Sequence, residues 1–167
     1  MNELPSLATL NDLFIYNPIN GKLYNKTSRP RGRKGAETGT DHSGGYRRLK
    51  LDYKYYLVHR VIWKMVTGKE PAPEIDHINH QRGDNRMENL REVTRSENQQ
   101  NASKRKDNVS GVTGVYWDKA TSRWKAEVQV EGNRIYLGYF IQRWHAIRAR
   151  KLAEVGYGFH PNHGQTA

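Results

Sequence analysis

The order of apolar and polar positions predicts two kinds of element in the first half of the chain. Apolar runs at 14–16 and 23–24 flank the turn residues 17–21, where Asn-Gly tolerates the positive φ angles of a tight hairpin. Between 57 and 66 the apolar positions recur at helical spacing, and Gly68 closes the segment. We therefore expect a small β-hairpin followed by a short buried helix.

A β-β-α unit is predicted in the middle of the chain. Two extended runs, 74–80 and 87–93, are joined by a polar turn. Thr94 and Glu97 then form a capping-box pattern, in which each side chain accepts from the backbone N–H of the other residue. A helix should therefore begin at residue 95.

Alternation in the last third predicts a three-stranded sheet over 114–117, 123–130 and 134–140, followed by a helix over 142–155. The small residues Ala146, Ala149 and Ala153 should let this helix lie close on the sheet beside Leu152. The face predicted to be covered carries Trp124, Ala126, Val128, Val130, Ile135 and Leu137. The open face carries Tyr116, Lys125, Glu127, Gln129, Arg134 and Tyr136.

Composition narrows the class of partner. The 167 residues include 28 Lys and Arg against 17 Asp and Glu, a formal charge of +11 that favours a polyanion, and nucleic acid above all. The absence of Cys excludes a disulfide scaffold, a thiolate zinc site and a cysteine nucleophile. No apolar stretch approaches the roughly 20 residues of a membrane span, so we expect an intracellular protein without a membrane partner.

The basic segment 26–48 has two interpretations. Its many glycines and charges predict that it is too polar to pack and too flexible to hold one shape. It is either a solvated loop or an arm that becomes ordered on DNA. The candidate DNA contacts in this segment are Arg29, Arg31, Arg33 and Lys34.

The middle segment 57–109 holds eight of the 17 acidic residues, so a cation site is expected there. Asp76 and His77 are adjacent on an extended run, so their side chains diverge and can act as metal ligand and general base. Asn98 offers an amide oxygen from the following helix. A carboxylate and an amide oxygen are suitable ligands for Mg²⁺, whereas zinc sites usually contain more nitrogen or sulfur ligands.

Several neighbouring residues have open roles. His80 is an alternative base to His77, and Asn101 is an alternative ligand to Asn98. His59 and Arg60, at the start of the helix over 57–66, are either a hydrogen-bonded histidine and a surface arginine or phosphate contacts.

The central segment resembles the HNH endonuclease motif, in the H-N-N variant of phage and intron-encoded enzymes. His77 matches the first histidine, which is the general base, and Asn89 matches the middle asparagine, which braces the loop between the strands. Asn98 matches the final metal ligand and Asp76 the second ligand. The likeness covers about residues 12–101 and implies a metal-dependent DNA endonuclease of phage or mobile-element origin, with a homing role.

The resemblance also implies one divalent ion per site, Mg²⁺ with Mn²⁺ as a substitute. Arg91 and Arg95 lie inside the motif and either clamp the scissile phosphate or are solvated. Taken singly, the motif residues have ordinary structural interpretations, such as a turn cap for Asn89. Together, in register on a β-β-α pattern, they favour the nuclease.

Residues 110–156 resemble the AP2/ERF DNA-binding domain, with Gly114-Val115, the run 124–128 and the run 136–140 in the family's places. The resemblance implies that the open face of the sheet binds DNA through Tyr116, Lys125, Gln129, Arg134 and Tyr136. The chain departs from the family in having fewer arginines on the first two strands, and Gln129 where arginine is usual. The alternative is a solvated face without a DNA role.

These observations predict an α+β chain with a ββα-metal nuclease core. The predicted segments are an N-terminal hairpin and basic loop (1–56), the nuclease core (57–103), a linker (104–110) and an AP2-like sheet packed on one helix (111–160). The predicted activity is nicking of double-stranded DNA. The alternatives are a nonenzymatic DNA-binding regulator and an RNA-binding or ribosome-associated protein. Because no exposed apolar helix or heptad is evident, we expect a monomer without an obligate protein partner.

Overall fold

The computed structural model describes residues 3–30, 32–100, 108–161 and 163–164. The chain divides into two compact units, Met1–Val93 and Thr94–Ala167. Helices and small antiparallel sheets occur together in the described residues, which confirms a mixed α and β architecture. The predicted linker at 104–110 falls mostly outside the described residues.

The first unit opens with a helix that the sequence analysis did not predict. Helix α1 spans Leu7–Leu13, and the Ser6 hydroxyl accepts from the backbone N–H of Thr9 at 3.1 Å. It leads directly into β1, Phe14–Asn17, which pairs antiparallel with β2, Lys22–Asn25. The predicted hairpin is therefore confirmed.

A three-stranded sheet and the predicted helix follow. The strands are β3 (Thr40–Asp41), β4 (Arg47–Leu51) and β5 (Lys54–Leu57), with β4 in the centre. Helix α2, Val58–Thr67, starts where β5 ends. Gly68 ends it at φ 72°, donating its N–H to the carbonyl of Lys64 at 2.9 Å.

The expectation that segment 26–48 would hold no single shape is wrong for its described residues. Asn25, which is buried, accepts from Arg29 Nη2 and from Thr38 Oγ1, both at 2.7 Å through Oδ1. The backbone N–H of Thr38 donates to the carbonyl of Leu23 at 2.7 Å. One buried polar side chain organises the segment, so apolar residues are not needed to hold it.

The core of the first unit joins the hairpin to α2. Its buried side chains are Leu4, Leu10, Phe14, Leu23, Leu49, Leu51, Tyr56, Val58, Val61 and Ile62. After the core helix, β6 (Glu74–His77) and β7 (Leu90–Val93) form a two-stranded antiparallel sheet. A short 3-10 helix, Met87–Asn89, leads into β7.

The second unit starts with helix α3, Arg95–Gln100. The predicted capping box is present: Glu97 N–H donates to Thr94 Oγ1 at 3.2 Å, and Thr94 N–H donates to Glu97 Oε2 at 2.7 Å. The sheet consists of β8 (Val115–Asp118), β9 (Arg123–Val130) and β10 (Asn133–Phe140), with β9 in the centre. Helix α4, Arg143–Gly156, covers one face.

A bulge in β10 changes the alternation that the sequence implies. The pairing with β9 shifts between Tyr136 and Gly138, and Gly138 has φ 131°. After the shift, Tyr139 is exposed and Phe140 packs on the core around Ala126. Strict alternation would have placed these two rings the other way round.

Helix α4 meets the sheet through the predicted alanine side, since Ala149 and Ala153 are partly buried, but Leu152 does not lie beside it. Ala146 is buried and Ile147 packs beside it, but Leu152 is 64% exposed. Leu152 comes six positions after Ala146, which is a rotation of roughly 240° at 3.6 residues per turn, so the two residues cannot share a face. Trp144 and Val155 are exposed as well, so the premise that no exposed apolar helix exists is wrong.

In the described part of the chain, every helix is too short or too polar to cross a membrane.

Candidate active site

The two-stranded sheet of the first unit positions the predicted base and ligand side by side. Across it, Asp76 is opposite Arg91 and His77 is opposite Leu90. Successive side chains of a strand point to opposite faces, so Asp76 and His77 meet different neighbours. Both side chains are buried.

Asp76 is held by the arginine opposite it. Arg91 donates to Asp76 Oδ2 from Nε at 3.0 Å and from an Nη at 2.9 Å. The predicted phosphate clamp therefore forms an ion pair inside the site, where it fixes the orientation of the carboxylate.

His77 is oriented by an amide. Its Nε2 lies 3.0 Å from Oδ1 of the buried Asn85. An amide oxygen only accepts, so Nε2 carries the proton and Nδ1 holds the lone pair of the neutral ring. Burial lowers the pKa of His77 and outweighs the opposing effects of Asn85, Asp76 and Asp84, which keeps the ring neutral near pH 7.

Two further rings surround this base: His59, whose role the sequence left open, and Tyr46, for which the sequence predicted no role. The centroid of His77 lies 5.1 Å from that of His59 and 5.9 Å from that of Tyr46. His59 and Tyr46 contact each other at 5.4 Å, which closes a cluster of three rings. The guanidinium of Arg82 lies 4.9 Å from the Tyr46 centroid. The two neighbouring rings therefore pack directly against His77.

His59 differs from both interpretations of the sequence. It is 4% exposed, and its Nδ1 has no hydrogen-bond partner in the described structure. Burial, then the nearby His77 and Arg60, lowers the pKa of His59 to about 3. Arg60 is partly buried and donates to the carbonyl oxygens of residues 71, 72 and 73. His59 therefore packs as a neutral ring, and Arg60 is a structural anchor.

The loop between β6 and β7 is held by Asn89, as the bracing role requires. Asn89 Oδ1 accepts from the backbone N–H of Asn79 at 2.9 Å, and its Nδ2 donates to the carbonyl of Asp84 at 2.8 Å. Asp84 in turn accepts from Arg86 and from Asn79 Nδ2. The hydrogen bonds from Arg86, ahead of that from Asn79, lower the pKa of Asp84 to about 2.

The remaining motif residues lie in or beyond α3. Asn98 is in the first turn of that helix, where its N–H donates to the carbonyl of Thr94 at 3.0 Å, and Arg95 is exposed. Both belong to the second unit. Asn101 lies outside the described residues. His80 lies in the β6–β7 loop at φ 63°, and its N–H donates to the carbonyl of His77 at 2.9 Å.

The atoms proposed to bind a metal ion are the side-chain oxygens of the two predicted ligands. Across the described ranges, no group of three or more His, Asp or Glu side chains is placed to hold a metal ion. The two predicted ligands, Asp76 and Asn98, offer carboxylate and amide oxygens. Such hard donors fit Mg²⁺, which keeps several waters and commonly takes substrate phosphate oxygens as further ligands.

The predicted DNA contacts of the first unit are in different environments. Arg29 is held by Asn25, and its guanidinium lies 4.4 Å from the Phe14 centroid. Arg33 and Lys34 are exposed. Arg31 lies outside the described residues.

The open face of the second unit is a network around Glu127. The Tyr116 hydroxyl donates to Glu127 at 2.9 Å, and the ammonium of Lys125 lies 3.2 Å from the same carboxylate. Lys125 also lies between the rings of Tyr116 and Tyr136, 5.5 and 5.8 Å from their centroids. Arg134 is an exposed partner of Glu127, and Gln129 is exposed. The aromatic and basic side chains of this face therefore lie together.

Comparison with known proteins identifies the central segment. Residues 56–100 match the family model described as HNH endonuclease. The chain is 32% identical to Protein 3.8 of Escherichia phage T7 over 109 residues, which cover 64% of this chain and 80% of that protein. No solved structure matches the chain significantly. The family match covers α2, the β6–β7 sheet and α3.

Proposed function

We propose that this chain, which belongs to the family of phage T7 Protein 3.8 and contains an HNH endonuclease domain, is a metal-dependent nuclease that nicks double-stranded DNA. The observation that carries the proposal is the state of His77, a neutral imidazole whose Nε2 donates to Asn85 and whose Nδ1 can accept a proton.

The chemistry assigned to His77 is general base catalysis. Nδ1 takes a proton from a water molecule while the water oxygen bonds to phosphorus and the bond from phosphorus to the 3′ oxygen breaks. Asn85 fixes the tautomer that leaves Nδ1 unprotonated. The rings of Tyr46 and His59 limit rotation of His77. A positioned base contributes roughly 10²- to 10⁴-fold to the rate.

Asp76 and Asn98 are the proposed metal ligands. Arg91 holds the Asp76 carboxylate, and the first turn of α3 carries Asn98. When bound, Mg²⁺ or Mn²⁺ would neutralise the charge that develops on the phosphate and on the leaving 3′ oxygen. Arg95 is proposed to contact a phosphate of the substrate. Asn89 acts through the loop that it braces.

The second unit is proposed to be an AP2-like DNA-binding module. Its open face combines two cations and two aromatic rings with one amide, and these residues are Tyr116, Lys125, Gln129, Arg134 and Tyr136. A β-sheet face of this kind can enter a major groove. In the first unit, Arg29, Arg31, Arg33 and Lys34 are proposed to add phosphate contacts. The phage relative supports a phage-encoded protein that acts in a host cell, and we propose a homing role.

A plasmid-nicking assay tests the proposal. Supercoiled DNA should be converted to the open circle in Mg²⁺ or Mn²⁺ but not in EDTA. His77→Ala should reduce the rate roughly 10²- to 10⁴-fold, because the base is lost, with DNA affinity nearly unchanged. His80→Ala is the matched control and should cleave at the wild-type rate.

The same assay distinguishes the alternatives. Duplex binding without nicking in any metal would favour the DNA-binding regulator. Preferential binding of RNA without cleavage would favour the RNA-binding class. Nicking that survives His77→Ala but not His80→Ala would reassign the base.

A further inference from the structure

The outward side of the β4–β5 hairpin carries two exposed tyrosines and two partly buried cations that neither the motif nor the sheet of the second unit includes. Leu49 and Leu51 of β4 point into the core, so the residues that alternate with them face outward. We use the name hairpin face for the outward set, which consists of Arg48, Lys50, Tyr53 and Tyr55.

The cations and rings of the hairpin face are interleaved. The guanidinium of Arg48 lies 4.4 Å from the Tyr55 centroid. The ammonium of Lys50 lies 5.3 Å from the same ring and 5.5 Å from that of Tyr53. Cation–π contacts of this kind order long side chains, while their N–H donors can still reach an external acceptor.

Tyr53 has an energetically unfavourable backbone conformation. The two-residue turn between β4 and β5 has positive φ at both residues, 45° at Asp52 and 65° at Tyr53. Such turns favour Asn, Asp or Gly, and a bulky residue is disfavoured there. The side chain of Tyr53 is 93% exposed, so packing within the chain does not offset that cost. A strained residue that packs against little of its own protein points to a contact with something else.

A cleft of about 200 Å³ adjoins this face. Arg29, Arg48 and Lys50 line it together with Tyr55, against one carboxylate, that of Glu37. Three cations around one cleft favour an anionic occupant.

The hairpin face is joined closely to the proposed catalytic centre. Strand β5 runs straight into α2, whose second residue is His59, and Tyr46 immediately precedes β4. Both residues contact the ring of His77. A macromolecule bound on the hairpin face would thus contact the same stretch of chain, residues 46–59, that carries two of the three rings.

We propose that the hairpin face is a further duplex-DNA contact, separate from the cleavage centre and from the second unit. Arg48 and Lys50 bind backbone phosphates, and Tyr53 packs at the tip of the hairpin against a sugar or base edge. A two-stranded ribbon fits the major groove of B-DNA, and the surplus of cations matches the phosphate charge. The choice of DNA rests on the proposed nuclease function.

The test uses the full chain, a labelled 30-base-pair duplex and EDTA, with fluorescence anisotropy as a function of salt. Tyr53→Gly should weaken binding about fivefold or more, as expected when a stacked ring is removed, while the melting temperature stays equal or rises because strain is relieved. Tyr53→Phe keeps the ring and should bind as the wild type does. The double variant Arg48→Gln, Lys50→Gln should lower the salt slope by about 0.9 for each phosphate that the protein no longer neutralises.

Lys69→Gln removes one exposed positive charge just beyond α2 and is the matched control. Binding by Tyr53→Gly and the double variant within twofold of this control, with equal salt slopes, would overturn the inference. Tighter wild-type binding to the single strand, lost in the same variants, would overturn the duplex assignment. Nicking by the wild type tests the proposed function separately. If the wild type never nicks DNA but these variants bind DNA more weakly than it does, the proposed role of the hairpin face is still supported.

Discussion

His59 and His77 share a buried pocket of aromatic rings, and burial lowers the pKa of both. Each imidazolium would place a positive charge beside the other ring in a poorly solvated space. The pair is therefore neutral near pH 7, and the proposed base is ready to accept a proton. Nothing in the local sequence links these two residues, since Tyr46, His59 and His77 come together only when three elements pack.

The first prediction concerns acid stability. The folded-state pKa of His59, about 3, lies below its ordinary value of 6.5, so the unfolded chain binds the proton first as pH falls. The contribution of neutral His59 to the free energy of unfolding is fully present above pH 6.5. It is lost between pH 6.5 and about 3, with a slope of up to about 1.4 kcal/mol per pH unit. Urea unfolding at several pH values measures this slope.

His59→Phe should flatten that slope, because the titrating group is gone while a ring still fills the pocket. His145→Phe changes an exposed ring on α4 and is the matched control. An unchanged slope in His59→Phe would show that other groups cause the acid sensitivity.

At the scale of elements, the β6–β7 loop depends on one side chain. Asn89→Ala removes two hydrogen bonds and leaves the N–H of Asn79 and the carbonyl of Asp84 without that partner. We expect a loss of about 1 to 3 kcal/mol in the free energy of unfolding, seen as a lower melting temperature. Asn79→Ala, which leaves the Asn89 bonds to the backbone in place, should cost less. A variant of Asn89 with unchanged melting would contradict the bracing role.

The bulge in β10 gives a second prediction at this scale. At Gly138 a Cβ would lie 3.3 Å from the Phe140 ring, and the backbone has φ 131°, so Gly138→Ala should cost about 1 to 3 kcal/mol. Gly132→Ala is the matched control, because its φ is also positive but a Cβ there meets nothing within 4 Å. Thermal melting compares the two, and an equal loss would argue against the ring contact.

The elements that sequence predicted well have strong local signals. Helix α2 has apolar periodicity and a terminal glycine, and the start of α3 has a reciprocal cap that needs only four residues. Segment 26–48 was missed because its order depends on a buried Asn25, which looks like any polar residue in the sequence. The position predicted for Leu152 on α4 is wrong, because this side chain is apolar but faces away from the sheet.

At the scale of the whole molecule, the sheet-and-helix part of the second unit, residues 108–167, should fold alone. It has its own buried core around Val115, Ala126 and Ala146, and Asn108 holds the turn at its start by accepting from Gly111 N–H at 2.8 Å. Residues 108–167 should therefore show a cooperative melt and salt-sensitive duplex binding. Trp124→Ala, which removes a ring packed on that core and on Trp117, should cost about 3 to 5 kcal/mol and unfold the fragment.

The complementary fragment, residues 1–107, retains all four motif positions and should still nick DNA. Its contacts would fall mainly on phosphates, which position the protein without specifying a sequence. Cleavage sites mapped on one plasmid should therefore spread relative to those of the full chain. Identical maps would show that the second unit does not direct the enzyme.

Under the proposed function, the presence of two DNA-binding units in one chain should govern how long the protein stays on its nicked product. Once one unit is bound, its covalent connection to the other raises the effective concentration of that second unit near the same DNA, commonly to the millimolar range. Two individually weak binding sites then give slow overall dissociation from DNA, because both must dissociate at the same time. A nicked duplex keeps its length and most of its phosphates, so it resembles the substrate to both units. Turnover should therefore be limited by departure from the nick, with a rapid first cut followed by a slow steady state.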